Sequence, residues 1–421
     1  MNLDTCTRRA FLRGSLLTAG GVALGSSSLG APDAPTSRQL AIAIDKALAA
    51  NPKAYPRELV EQCTAAAIAE FQGCKPDPAV VQQLAALPDN TWLEMNAAEA
   101  KGTPDNHHSF PRYRGEGSAT YDAAARAVVC FAGCGAPNYS CDLWAYKTGA
   151  NRWFEIWPNI PRPIWMALPE RPKDRPPPGC TLGLGYAADT GSVYRFTCAN
   201  TGDEGRNVWE TRLLSGKWQV VGREQQAGVP AEGIRIAADP VLGGLLSVSP
   251  VGTRLFSFRT KDWTTIPGDG PKMGVCAALT YLTKAECALC VGAPGNRPGG
   301  NAEKDLPEVE TWLFHSKRQQ WERVKTTPRP EWYYRGGITY DSLNNVALFG
   351  GWKSSDAGSG PDVTPGLWVF DPTKKEWHYE KPASGPKGRF EYFAYDPEYN
   401  VAVTAGNGHG TWLYRYCRAK G

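Results

Sequence analysis

The sequence predicts an all-β protein preceded by a short α-helical segment. Its 421 residues include 15 Trp, 17 Tyr, 45 Gly and 34 Pro, and aromatic residues combined with turn-forming residues are typical of many short strands. From residue 118 onward the apolar pattern has the period of a strand. Six copies of one internal repeat follow each other there, which indicates an architecture built from similar units.

Residues 1–35 are expected to be an export signal and not part of the fold. Arg8 and Arg9 stand before a Phe-Leu pair and Arg13, and the weakly apolar stretch that follows is too short and too glycine-rich to span a membrane. This arrangement resembles the signal of the twin-arginine route. The resemblance implies an exported protein, periplasmic or extracellular, without a transmembrane helix once the signal is removed; the cleavage site stays open.

Residues 36–88 are alanine-rich and have helical spacing. Pro56 and Pro78 stand where helices begin, and Gly73 stands where one ends, so that two or three helices are predicted. About fifty residues bury little apolar surface by themselves. These helices are therefore expected to pack against the domain that follows, residues 89–421.

Each repeat has four landmarks in a fixed order. An apolar run ends in Tyr-Asp or Ala-Asp before a turn, a strand ending in small residues follows, then an aromatic strand, then a polar turn and a tryptophan that opens a further short strand. The fifth copy, "ITYDSLNNVALFGG" to "LWVFDPTKKEW", shows all four at 338–377. The sixth copy has no tryptophan after its aromatic strand, and Trp92 in the upstream "NTWLEMN" supplies the missing landmark. The other five are Trp153, Trp218, Trp263, Trp321 and Trp377.

These landmarks resemble the kelch repeat, in which each copy is one four-stranded blade of a β-propeller. The resemblance implies a six-bladed kelch-type β-propeller similar to the central domain of galactose oxidase, closed by a strand near Trp92. Closure is physically reasonable because an open seam would expose two unpaired sheet edges. A pair of β-sandwiches conflicts with the tryptophan period, whereas a propeller of another repeat type stays an alternative.

The cysteines and the net charge limit the environment and the partners. A net charge of +4 implies neither nucleic acid nor an anionic membrane as a partner. The chain has 12 cysteines, and export makes disulfides an expectation. Two residues that face each other across a hairpin have residue numbers whose sum is the same for every facing pair. A disulfide can also join the two ends of a short loop. Three bridges are predicted on these grounds: Cys180–Cys198, Cys276–Cys290 and Cys134–Cys141.

Two further cysteines, Cys130 and Cys287, are expected to be small buried apolar residues. The "CALC" run at 287–290 has the spacing of a metal site. Residues three apart in a strand point to opposite faces, so this run is not predicted to bind zinc.

Ligands of propellers lie at one end of the central channel, and function has to be argued from the loops there. One end collects the loops that precede each first strand and the loops that join second and third strands; we call it the loop end. Three of the five histidines fall there, together with arginines and tyrosines. The candidate catalytic residues are His107, His108, Tyr334, Tyr392 and His409. The candidate substrate-binding residues are Arg112, Arg114, Arg335, Arg389, Asn407 and Trp332.

This combination of residue types suits an acidic saccharide. Arginine can hold a carboxylate in a bidentate fork, histidine and tyrosine can transfer protons, and aromatic rings stack on sugars. The predicted function is therefore carbohydrate binding at the loop end. A polysaccharide lyase that acts on uronic-acid glycans by β-elimination is the alternative, and whether the protein is an enzyme stays undecided. For each single residue, a structural role between blades is the competing interpretation.

Two further functions carry less support. A copper oxidase of the galactose-oxidase type needs a tyrosine and histidine ligand set that the sequence does not show convincingly, and a protein-interaction module would use the same exposed aromatic residues. No cofactor is predicted, although the three histidines leave a divalent metal open.

Overall fold

The computed structural model describes most of the chain beyond the first 33 residues. The described residues are 34–96, 111, 117–135, 138–179, 183–196, 206–225, 235–273, 277–294, 308–330, 333–353, 366–387, 390, 392–405 and 410–417. Within these ranges, the side chains of residues 132, 134, 135, 138, 333–336 and 351–353 are outside the description.

The described helices are short and lie mostly before the strands. They are α1 (Ser37–Ala50), α2 (Arg57–Gly73), α3 (Pro78–Ala86) and α4 (Arg162–Ala167). Thr36 caps α1 in a capping box with Gln39, in which each side chain accepts a hydrogen bond from the backbone N–H of the other. The predicted end of α2 at Gly73 and start of α3 at Pro78 are confirmed. No helix among the described residues is long and apolar enough to cross a membrane.

The described strands form six antiparallel four-stranded sheets, which confirms the six-bladed β-propeller. The first blade is β2 (Ser118–Asp122), β3 (Ala127–Gly135), β4 (Asn138–Lys147) and β5 (Arg152–Trp157); the second is β6 (Gly183–Ala187), β7 (Ser192–Phe196), β8 (Asn207–Thr211) and β9 (Trp218–Arg223). The third is β10 (Arg235–Asp239), β11 (Gly244–Ser249), β12 (Gly252–Ser257) and β13 (Trp263–Thr265); the fourth is β14 (Ala278–Leu282), β15 (Cys287–Gly292), β16 (Glu310–His315) and β17 (Gln320–Val324). The fifth is β18 (Tyr333–Asp341), β19 (Val346–Lys353), β20 (Leu367–Asp371) and β21 (Glu376–Glu380); the sixth is β22 (Tyr392–Asp396), β23 (Val401–Ala405), β24 (Thr411–Arg415) and the upstream β1 (Thr91–Asn96).

The ring closes through the pairing of β1 with β24. Trp92 lies opposite Tyr414 in this antiparallel pair, and their ring centroids are 4.9 Å apart. Trp92 also packs on Phe390 of the sixth blade at 5.2 Å. The six inner strands contact their neighbours all the way around the ring, so the sheets have no open seam.

The first or second residue of each fourth strand is a tryptophan, and it packs against the third strand of the preceding blade. At three seams its indole N–H donates to a threonine hydroxyl, and at the other three the equivalent position is apolar and the indole N–H is buried without a partner among the described residues. The hydrogen-bonded pairs are Trp153–Thr411 at 2.9 Å, Trp321–Thr253 at 2.9 Å and Trp377–Thr311 at 3.0 Å. At these three seams the tryptophan shares an apolar cluster with a residue of that third strand: Trp218 with Leu143, Trp263 with Val208 and Trp92 with Leu367.

Helices α1 and α2 pack on the first and second blades, and all of them belong to one compact unit, Thr36–Gly421. Ile44 and Val60 are buried in the same apolar cluster as Leu143 of β4. Phe71 of α2 meets Phe154 of β5 edge to face at 5.3 Å. Packing against the propeller therefore stabilises helices that have little core of their own.

The predicted Cys134–Cys141 disulfide is wrong in this structure. Cys134 lies opposite Tyr139 in the hairpin of β3 and β4. Cys141 carries a thiol that is 1% exposed, and its Sγ donates to the carbonyl of Ile160 at 3.6 Å. The hairpin is tighter than the loop that the prediction assumed, so the two cysteines do not face each other.

The predicted Cys276–Cys290 disulfide is also wrong. Cys290 lies opposite Leu279, three residues away from Cys276 in sequence, and its thiol donates to Met273 Sδ at 3.7 Å. Three of the cysteines predicted to form bridges lie outside the described residues: Cys180, Cys198 and Cys276. The Cys180–Cys198 bridge therefore stays a prediction.

The cysteines expected to be buried apolar residues are buried. Cys130 is 1% exposed and Cys287 is 2% exposed. Cys287 and Cys290 belong to two different apolar clusters, one on each face of the fourth blade. This placement agrees with the argument that the "CALC" run cannot chelate a metal.

Candidate functional site

The first strand of each blade lines the central channel. One residue of each inner strand contributes to an apolar collar, and the collar separates two cavities. Its members are Ala119, Leu184, Ile236, Leu279, Ile338 and Phe393. The cavity that the described residues line toward the loop end is about 40 Å³. The cavity toward the end where the inner strands finish, which we call the turn end, is about 300 Å³.

The described part of the loop end contains three of the predicted site residues. Tyr334 and Arg335 lie near the start of β18, and Tyr392 is the first residue of β22. The backbone therefore brings these three positions to one end of two neighbouring inner strands. The side chains of Tyr334 and Arg335 lie outside the described residues, as do all the following predicted site residues: His107, His108, Arg112, Arg114, Trp332, Arg389, Asn407 and His409.

Tyr392 occupies a packing position between the sixth and first blades. It is 3% exposed, and a Cβ placed on Gly117 would lie 2.3 Å from its ring. Only glycine fits beside this ring, so the contact explains both residues structurally. Its predicted catalytic role stays a prediction.

Arg235 at the start of β10 is a loop-end residue that sequence reasoning missed. It is 7% exposed, its Nε donates to the carbonyl of Ala277 at 3.1 Å, and it borders the smaller cavity. The third copy of the repeat is degenerate, so its position in the ring had no clear sequence signal.

Five tyrosines surround the larger cavity at the turn end. Each is the last residue but one of its inner strand, and each lines the wall of the cavity. The ring consists of Tyr121, Tyr186, Tyr281, Tyr340 and Tyr395, and Ala238 holds the equivalent position in the third blade. The signal for this ring was the repeated Tyr-Asp landmark, which the sequence reasoning used only to define the repeat.

Four of the tyrosines lie beside an aspartate from the preceding blade. Burial and, to a lesser degree, the neighbouring carboxylate raise the pKa of each phenol, and the pKa of Tyr281 rises to about 12. The phenols therefore stay protonated near neutral pH. The pairs are Tyr121 with Asp396, Tyr186 with Asp122, Tyr281 with Asp239, and Tyr395 with Asp341.

The aspartates of these pairs also hold the hairpin turns. Oδ1 of Asp122 accepts the backbone N–H groups of Ala124 and Ala125, each at 2.9 Å. Asp239 makes the same pair of bonds in the third blade and also accepts from Ser316 at 2.7 Å. Burial raises the pKa of Asp122, Asp239 and Asp396.

The Asp–Tyr pairing is interrupted between the second and third blades. The second blade has Ala187 where others have aspartate, and the third has Ala238 where others have tyrosine. Both partners are lost together, so no unpaired carboxyl or phenol is left at this seam. At the seam of the fourth and fifth blades only the aspartate is replaced, by Leu282. Tyr340 donates to Asn345 Oδ1 at 2.7 Å, as Tyr395 does to Asn400.

The interruption widens the cavity on one side. Ala188, Asp189, Pro240 and Phe258 join its lining there. Asp189 is exposed and makes no hydrogen bond or ion pair among the described contacts. The cavity is therefore a pocket with an aromatic wall, a gap lined by small residues and one available carboxylate.

The chemistry of this pocket favours binding over proton abstraction. A tyrosine that acts as a general base needs a lowered pKa, and those of the ring are raised. Within the described residues, no three His, Cys, Asp or Glu side chains converge as metal ligands do. No protein-family model matches the chain, and no curated protein matches it.

Proposed function

We propose that this protein is an exported, kelch-type propeller that binds a carbohydrate, and that the turn-end cavity of the channel takes part in binding. The observation that carries the proposal is the cavity of about 300 Å³ with five tyrosines in its wall. Small-molecule sites are concave and mostly apolar, and the smallest of them have about this volume. Aromatic walls with a few polar groups suit the apolar faces and the hydroxyl groups of a sugar ring.

The tyrosines of the ring differ in how far their hydroxyl groups are held by the protein and how far their side chains are exposed to the cavity. The hydroxyls of Tyr340 and Tyr395 donate to Asn345 and Asn400 at 2.7 and 2.8 Å, which holds these side chains in place. Tyr121 and Tyr186 are only half-buried. They flank the seam between the first and second blades and present the surface that a sugar would contact.

The export route and the repeat type belong to the same proposal. The twin-arginine-like "TRRAFLRG" supports export, and the four recurring landmarks support the kelch assignment. The lyase alternative depends on loop-end residues such as His107, His108 and His409, which lie outside the described residues. The raised pKa values of the turn-end tyrosines favour binding without turnover at that end.

The proposal is tested by filling the cavity with side chains that the other blades carry. The double variant Ala187→Asp and Ala238→Tyr would restore the missing Asp–Tyr pair and occupy the gap. We expect the wild-type protein to bind at least one member of a panel of neutral, amino and acidic saccharides in calorimetry. The double variant is expected to bind it at least about tenfold more weakly, a loss of about 1.4 kcal/mol.

The matched control adds the same bulk away from the channel. Val220→Tyr is suitable because Val220 is 46% exposed on β9, and it is expected to bind like the wild type. Circular dichroism would confirm that all variants are folded. Absence of saccharide binding by the wild type, or unchanged binding by the folded double variant, would overturn the proposal.

A further inference from the structure

We infer that the saccharide preferred by the turn-end cavity carries a protonated amino group, which binds beside Asp189. This inference rests on the proposed function and adds the charge of the ligand. It concerns a different end of the channel from the arginines predicted at the loop end. The acidic saccharide expected there would be unsuited to the turn end.

The charges that line the cavity have one sign. Asp189 is the charged residue among the described lining residues, and its carboxylate is exposed at the gap beside Ala238. The described hydrogen bonds of Asp122, Asp239 and Asp396 come from backbone N–H groups and from hydroxyls, and none comes from a cation. Where these aspartates are ionised, they add negative charge behind the tyrosines. The exposed carboxylate of Asp189 has the same sign, so the field in the cavity attracts cations and repels carboxylates.

Three described basic side chains near the cavity each contact another group. Arg212 Nη2 donates to the carbonyl of Thr190, the residue after Asp189, at 3.4 Å. Lys284 meets the tyrosine ring only through its backbone N–H, which donates to the Tyr340 hydroxyl at 3.3 Å, and its Nζ donates to the carbonyl of Leu343 at 3.2 Å. Lys261, which follows Phe258, pairs with Glu210 at 3.6 Å. The described contacts of these three side chains include no ion pair with Asp189.

The aromatic wall adds a second source of attraction for a cation. Ammonium groups are attracted to the faces of tyrosine rings, and aromatic cages recognise such groups. An amino sugar offers both a ring for the aromatic wall and an ammonium group for Asp189. A neutral sugar would keep the first contact and lose the second.

The experiment compares glucosamine with glucose, which differ by one amino group, at a slightly acidic pH where the amine is protonated. We expect glucosamine to bind about fivefold more tightly than glucose, as for a partly exposed ion pair, and glucuronate to bind more weakly than both. Asp189→Asn is expected to abolish the preference for glucosamine over glucose. Because Asp189 is exposed, this variant is expected to fold.

The outcomes separate the two proposals. Equal binding of glucosamine and glucose, tighter binding of glucuronate, or an unchanged preference in Asp189→Asn would overturn the inference, while carbohydrate binding itself would stand. Binding of tetramethylammonium to the wild type but to neither sugar would support a cation site and overturn the carbohydrate proposal. If neither tetramethylammonium nor any sugar binds, both proposals are wrong.

Discussion

Trp377 Nε1 donates to Thr311 Oγ1 at 3.0 Å across the seam between the fifth and fourth blades. The two residues are 2% and 3% exposed, so the bond is made without competition from water. Two other seams have the same bond, and three have an apolar residue instead of the threonine. The bond is therefore a local addition to a seam that apolar packing already closes.

Removal of the acceptor at this seam is expected to destabilise the protein. Thr311→Val keeps the shape of the side chain but leaves the buried indole N–H of Trp377 without a partner. The cost of an unsatisfied buried donor is about 1–3 kcal/mol of the free energy of unfolding. Urea unfolding would measure it, with Thr373→Val on the exposed turn before β21 as the control. A loss no larger than that of the control would contradict the role given to the bond.

The converse substitution, which adds an acceptor, can be tested at the seam of the second and third blades. Val208→Thr places a hydroxyl where Trp263 Nε1 is buried without a partner among the described residues. A new bond worth about 0.5–1.5 kcal/mol would offset the cost of burying the hydroxyl. We expect the free energy of unfolding to change by less than about 1 kcal/mol. A loss as large as that of Thr311→Val would show that the indole cannot reach the new acceptor.

The pH dependence of stability should reveal the buried carboxyl of Asp239. Burial raises its pKa above the ordinary value of 3.8, so the folded state favours the protonated form. Its contribution to stability is fully present below the unfolded pKa and is lost as the pH rises through the folded pKa. Asp239→Asn removes this titration and keeps an oxygen that can accept the N–H groups of Val241 and Leu242.

The measurement is urea unfolding of both proteins from acidic to neutral pH. We expect the free energy of unfolding of the wild type, relative to the variant, to fall as the pH rises above about 4. A difference that is constant or rises with pH would refute the assignment.

The fold was predictable from sequence because its signals are local and repeated. Trp92 could be assigned to the last blade since only one landmark of one repeat was missing, and its pairing with Tyr414 agrees. Disulfides depend on register, and one or two residues in a turn change which side chains face each other, as Cys290 opposite Leu279 shows.

The candidate site was less predictable because its pairs join different blades. Tyr121 and Asp396 are neighbours in space but stand at opposite ends of the repeat array. Nothing in the sequence near Ala238 reveals that a missing tyrosine opens a pocket; this follows only once six equivalent positions are placed around one channel. Loop residues such as His107 could be predicted as site residues because their possible chemistry follows from the residue type alone.

Pairing of β1 with β24 also has a consequence for the time course of biosynthesis. The strand β1 cannot pair until β24, which lies far later in the chain, has been synthesised. Until then its edge is unpaired, and such edges invite association with other chains. The ring therefore cannot close on a nascent chain before β24 is complete, and β1 is the edge that has to stay protected until then.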